Sequence, residues 1–171
     1  MTRQEFVKII QASQAGDRKS FDILYDEYFG KLCTTAFKIL RNADAAYDVA
    51  SDVILKLLEL KKEVSTIENH VAYMITMVKN RAKDYMAKQS REISVSEIWK
   101  PHDLELPEML WLDDILKVLT EEEREVFLLH YIWDLPLWKV AAQANMTYGA
   151  VKGRKIKVIQ KLKNIYEERR K

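Results

Sequence analysis

Residues 135–166 read LPLWKVAAQANMTYGAVKGRKIKVIQKLKNIY and carry seven basic side chains (Lys139, Lys152, Arg154, Lys155, Lys157, Lys161 and Lys163) with no acid among them. Two apolar patterns are separated by a break. Leu135, Leu137, Val140, Ala141 and Ala144 are spaced as one face of a short helix, with Pro136 suited by its fixed φ to the first turn. Asn145-Met146-Thr147 then interrupts the pattern, because Asn tolerates a left-handed backbone and Thr147 can cap the next helix. Val151, Val158, Ile159, Leu162, Ile165 and Tyr166 place a buried seam on this second helix and leave most of its basic residues on the other side. Helix, tight turn and basic helix make a helix-turn-helix, whose second helix enters the major groove of DNA.

The surrounding charge makes this cluster meaningful. The 171-residue chain has 28 Lys and Arg against 26 Asp and Glu, a net charge of +2 that implies no polyanionic partner by itself. Just upstream, Asp113, Asp114, Glu121, Glu122, Glu123, Glu125 and Asp134 face only Lys117 and Arg124. Charge is therefore sorted along the sequence.

Four Gly and three Pro are few, and 48% of residues are apolar, so the expected fold class is all-α, built as two small helical domains. Phe6, Val7, Ile9 and Ile10 predict a first helix that stops near Gly16. Phe21, Leu24, Tyr25, Tyr28, Phe29, Leu32, Ala36, Phe37 and Leu40 predict a long core helix. A third helix opens at Asp44, with Val49, Val53, Leu57 and Leu60 inward and Asp44, Asp48 and Asp52 outward. A loop over 63–69 precedes a fourth from His70 to about Gln89, with Val71, Ile75, Val78, Ala82 and Tyr85 on its buried side. The expected division is 1–89 for the first domain, 90–108 for a linker that contains Pro101 and Pro107, and 109–171 for the second. Thr120-Glu121-Glu122-Glu123 is a capping-box signature for a helix reaching about Trp133.

Taken together, these features resemble the small extracytoplasmic-function (group 4) factors of the sigma-70 family, with their region 2 bundle and region 4 helix-turn-helix. Residues 44–53, DAAYDVASDV, resemble the family's polymerase-binding segment D-A-E-D-L-V-Q-E-V, with Tyr47 for an acid and Ser51 for the glutamine. Residues 73–87 resemble W-L-x-x-I-x-x-N-x-x-x-D-x-x-R, with Tyr73 for the tryptophan and Ala87 for the arginine. Residues 119–127 resemble L-P-E-E-x-R-E-V, and 148–154, YGAVKGR, resemble V-G-T-V-K-S-R. Asp134 stands for a usual glycine and Lys139 for a usual glutamate.

The resemblance implies a bacterial transcription initiation factor with core RNA polymerase and promoter DNA as partners. Contacts to polymerase would fall on the largest-subunit coiled coil, through Asp48, Ser51 and Asp52, and on the flap. The upstream promoter element would be read by Thr147, Tyr148, Lys152, Arg154, Lys155 and Lys157. The downstream element would be opened and held by Tyr73, Lys79, Asn80, Lys83 and Asp84, with the loop 62–70 beside them. An anti-sigma factor is a further implied partner. Two other readings stay open: a stand-alone helix-turn-helix regulator, and a degenerate sigma-like protein-interaction module.

Catalysis is not expected. His70, His102 and His130 lack metal-ligand spacing, there is no C-x-x-C, G-x-S-x-G or phosphate loop, and neither metal nor cofactor is implied. Cys33 lies on an apolar stripe and is expected in the core, and Trp99 in the linker is a candidate for docking. The apolar run 71–78 is too short to cross a bilayer, so no membrane insertion and a cytoplasmic location are expected.

Overall fold

The computed structural model describes residues 1–92 and 107–168, and the chain divides into two compact units, residues 1–104 and 105–171. Among the described residues there are eight α-helices and no strand.

In the first unit, α1 (Arg3–Gln14) begins at a capping box in which Thr2 accepts from the Glu5 amide and Glu5 accepts from the Thr2 amide. Gly16, at φ 92°, turns the chain out of α1, and Asp17 caps α2 (Arg18–Leu40). Arg41 ends α2 in the left-handed region, φ 52°, with its amide on the Phe37 carbonyl. Asn42 then caps α3 (Ala43–Glu59) at once. A short 3-10 helix, Lys61–Thr66, replaces the expected loop and leads to α4 (His70–Glu92). Helix α2 packs on α1, α3 and α4, and the small residues Ala45, Ala46 and Ala50 bring α3 close. Leu24, Leu32, Val53, Leu57, Met74 and Val78 have no accessible surface, each contributing about 1.5–3 kcal/mol by burial.

Two expectations for α4 need adjusting: Val71 and Tyr85 are only half-buried, and Met74 and His70 take the interior places. His70 stacks on Phe6 with ring centres 4.7 Å apart. Cys33 is buried as expected, and burial pushes its thiol up to about 12.

The second unit comprises α5 (Pro107–Val118), α6 (Glu121–Phe127), α7 (Leu137–Gln143) and α8 (Tyr148–Glu168). Thr120 and Glu123 form the capping box of α6. The expected continuation to Trp133 becomes a π turn over Leu128–Ile132, where the Trp133 amide reaches the Leu128 carbonyl. That wider turn, a known device for inserting one residue into a helix, keeps Leu128, Leu129 and Trp133 all buried. His130 Nδ1 donates to the Leu135 carbonyl at 2.8 Å and secures the exit. Pro136 lies one place earlier than expected: it is the N-cap of α7, with its carbonyl accepting from Lys139 and Val140. Helix α8 packs against α5, α6 and α7 through Val151 and Val158, whereas Tyr166, expected on the seam, is 63% exposed.

The linker reading of 90–108 meets the end of α4, which runs to Glu92, and the start of α5 at Pro107. Residues 93–106, with Trp99, lie outside the described residues.

Candidate nucleic-acid and polymerase interfaces

The turn between α7 and α8 is built by three consecutive residues. Asn145 adopts φ 53°, the Met146 amide bonds the Ala141 carbonyl at 2.9 Å, and the Thr147 hydroxyl accepts from the Ala150 amide at 3.2 Å. Thr147 is thus engaged as the cap of α8, and Tyr148, 55% exposed, is the first residue of the helix. Just before α7, Asp134 takes φ 53°, the conformation that explains why glycine is usual at that place.

Helical spacing then sorts the basic residues into two groups. Gly149 stands three and four residues before Lys152 and Gly153, and Gly153 stands the same distances before Ile156 and Lys157, so the five share one face, and all are exposed. Arg154 and Lys155 are half-buried on either flank. Arg154 folds back onto α6: its Nε donates to Glu122 at 2.8 Å, Nη2 makes a second contact with the same carboxylate, and Nη1 donates to the Ala150 carbonyl. Lys161 is likewise tied inward, to the Val118 carbonyl at 2.9 Å and to Glu123 at 2.6 Å. Burial pushes the Glu123 carboxyl up, but Lys161 and the bonds from Thr120 outweigh it and hold the group below its usual range. Among the described residues, Lys152, Lys155 and Lys157 make no ion pair. Thr120, Glu122, Gly153, Arg154 and Lys157 line a cleft between α6 and α8.

The two glycines are informative. A Cβ at Gly149 or Gly153 would meet no atom within 4 Å, so internal packing does not require glycine at either position. Inside a helix such a residue costs about 0.5–1 kcal/mol relative to Ala. Their lack of bulk opens a smooth cationic face to whatever approaches from outside. Ile156, 50% exposed at its centre, is the residue that sequence reasoning missed. Its signal was present, since it falls off the Val151–Val158 stripe and between two lysines.

On α3, Asp48, Ser51 and Asp52 are all exposed and lie on one face, opposite buried Val49, Val53 and Leu57. Leu55, seven residues after Asp48, is 58% exposed on that same face. It too was missed, and its spacing could have revealed it. Tyr47, which replaces an acid, turns aside and packs edge-on against Phe29 at 5.5 Å.

On α4, Tyr73, Asn80 and Asp84 recur at seven- and four-residue steps along one face, with Lys83 beside them and Lys79 at the margin. Asn80, Lys83 and Asp84 are exposed, whereas Tyr73 and Lys79 are half-buried. Asn69 caps the helix through the Ala72 amide at 3.0 Å.

Among the described residues no cluster of His, Cys, Asp and Glu could hold a metal ion, and no helix is long and apolar enough to cross a membrane.

Comparison with known proteins accounts for both units. No curated protein matches the chain in sequence. A chain in the structure of CnrH in complex with the cytosolic domain of CnrY is similar in fold, with a TM-score of 0.60 at 16% identity over 96% of this chain and 98% of that one. A chain of the RsbN-BldN complex aligns over 91% of this chain and 98% of its own length at 19% identity, with a TM-score of 0.38. Residues 24–92 match the family model of sigma-70 region 2, and residues 115–164 match that of sigma-70 region 4. With both regions present in order, the chain belongs to the sigma-70 family of transcription initiation factors.

Proposed function

We propose that this chain works as an extracytoplasmic-function type initiation factor with its three tasks on three helices. Helix α3 docks on the coiled coil of the polymerase largest subunit, with Leu55 as an apolar anchor and Asp48, Ser51 and Asp52 as a polar rim. Helix α8 enters the major groove of the upstream element. Lys152 and Lys157 approach phosphates and base edges, Ile156 offers an apolar contact to a thymine methyl, and Tyr148 lies at the helix entry. Lys155 serves from the flank, and Thr147 and Arg154 act chiefly by holding the helix in place. Helix α4 and the segment 62–70 receive the opened downstream strand through Tyr73, Lys79, Asn80, Lys83 and Asp84.

The observation that carries this reading is the outward face of α8, which is cationic and lined by glycines that packing does not require. A stand-alone regulator would need the same face but would give α3 no reason to expose Leu55 between acids. The flap is the contact proposed for the second unit on polymerase. CnrH was solved with the cytosolic domain of CnrY, and an anti-sigma protein of that kind is the further partner proposed here. Reconstitution with core polymerase, followed by transcription from a promoter library, tests the proposal. Specific transcripts that depend on the added chain are expected. Tight specific duplex binding without any affinity for polymerase would favour the stand-alone regulator.

A further inference from the structure

Helix α1 lies before the region 2 match, which starts at residue 24, and its first residue does something that core packing does not explain. Arg3 Nε donates to the Ile67 carbonyl and Arg3 Nη2 to the Ser65 carbonyl, both at 2.8 Å. These acceptors are the last turn of the 3-10 helix and the extended residue after it, where carbonyls run out of helical partners. A cation in the first turn of a helix is disfavoured by the helix dipole, so the position offers Arg3 no local advantage. The gain is across the fold. One planar fork spans two carbonyls and fixes the path between the 3-10 helix and the Asn69 cap of α4. Beneath it, Val64 and Ile67 are buried, and Phe6 of α1 stacks on His70.

We propose that Arg3 is a positioning residue for promoter opening: it braces the segment 61–69 in the shape that receives the unpaired strand. This rests on the reading of segment 62–70 given above. Arg3 itself need not touch DNA, because its Nε and Nη2 donors are committed to protein carbonyls.

The test uses full-length chain assembled with core polymerase. The probe is a single-stranded oligonucleotide selected by the wild-type holoenzyme from a randomised pool. Arg3→Ala should weaken binding of that strand about tenfold, the scale expected for losing charge-assisted bonds to two carbonyls. Affinity for core polymerase and for an upstream-element duplex should remain at wild-type values. Arg3→Lys separates bracing from a phosphate contact, since it keeps the charge and loses the fork. Under bracing it behaves as Arg3→Ala. Wild-type strand affinity in either variant overturns the proposal, as does a loss of polymerase binding and duplex binding in step with strand binding. A wild-type holoenzyme that selects no strand overturns the reading of segment 62–70 and the brace together, whereas polymerase binding and duplex binding report on the initiation-factor assignment independently.

Discussion

Gly153 sits where two demands conflict. In the second turn of α8, where an added Cβ would meet nothing within 4 Å, Gly153→Ala should raise stability of the second unit by about 0.5–1 kcal/mol. The added methyl projects from the face that carries Lys152 and Lys157, so upstream-element affinity should fall in the same variant. Thermal unfolding and duplex titration on one protein check both signs, and a stabilised variant with unchanged affinity would remove this face from the groove. Lys157→Ala should flatten the dependence of log affinity on log salt by about one unit, the change expected when one phosphate loses its cation. Arg154→Ala should instead act through geometry, because its guanidinium is bound to Glu122 and to the Ala150 carbonyl. The basic residues of α8 were legible as a group from sequence, and the Val151–Val158 stripe told which side they left. Which of them remain free to meet DNA was not legible. That depends on the packing of α6 against α8, which brings Glu122 to a residue 32 positions later.

At the scale of the helix, α3 shows how much a period reveals and where it stops. Its buried and exposed sides follow from the spacing of Val49, Val53 and Leu57. The same spacing puts Leu55 on the exposed side, although its apolar neighbours Ile54, Leu57 and Leu58 draw the eye away from it. Asp52→Lys should reduce affinity for core polymerase by about tenfold or more, since like charge would then face the basic coiled coil. Leu55→Ala should cost about 1–2 kcal/mol of the same association. Both should unfold within about 0.5 kcal/mol of wild type, because neither side chain packs in the core. A folded Asp52→Lys variant that binds polymerase normally would take α3 out of the interface. The α6–α8 junction makes a pH-dependent prediction. Glu123 has its carboxyl held below the ordinary 4.5, so its contribution is complete above that value and is lost as pH falls through the lowered one. The stability difference between wild type and Glu123→Gln should therefore shrink on acidification. The π turn between α6 and α7 was not legible, because its apolar run continues a helical pattern without a Gly or Pro to mark the change.

For the whole molecule, the proposed function assigns separate tasks to the two compact units. The boundary at residues 104 and 105 separates the faces proposed for polymerase on α3 and for the opened strand on α4 from the face proposed for the groove on α8. The second unit is small, and a small domain has little core to spare. Its capping box, the buried Glu123 joined to Lys161, and the apolar set of Leu112, Leu116, Val126, Leu129, Val140 and Val158 are what it has to fold with. We predict that fragments 1–104 and 105–171, produced separately, each unfold cooperatively and divide the activities. The first should bind core polymerase and lose that affinity on Asp52→Lys. The second should bind upstream-element duplex and lose that affinity on Gly153→Ala. Joined in one chain, each unit raises the effective concentration of the other at a promoter, so the intact protein should hold a polymerase–promoter complex at salt concentrations where the second fragment alone has left the DNA. Calorimetry of the fragments and duplex titration at several salt concentrations test this. Two folded fragments that bind nothing until they are rejoined would place the binding surfaces across the two units and contradict the assignment of one task to each helix.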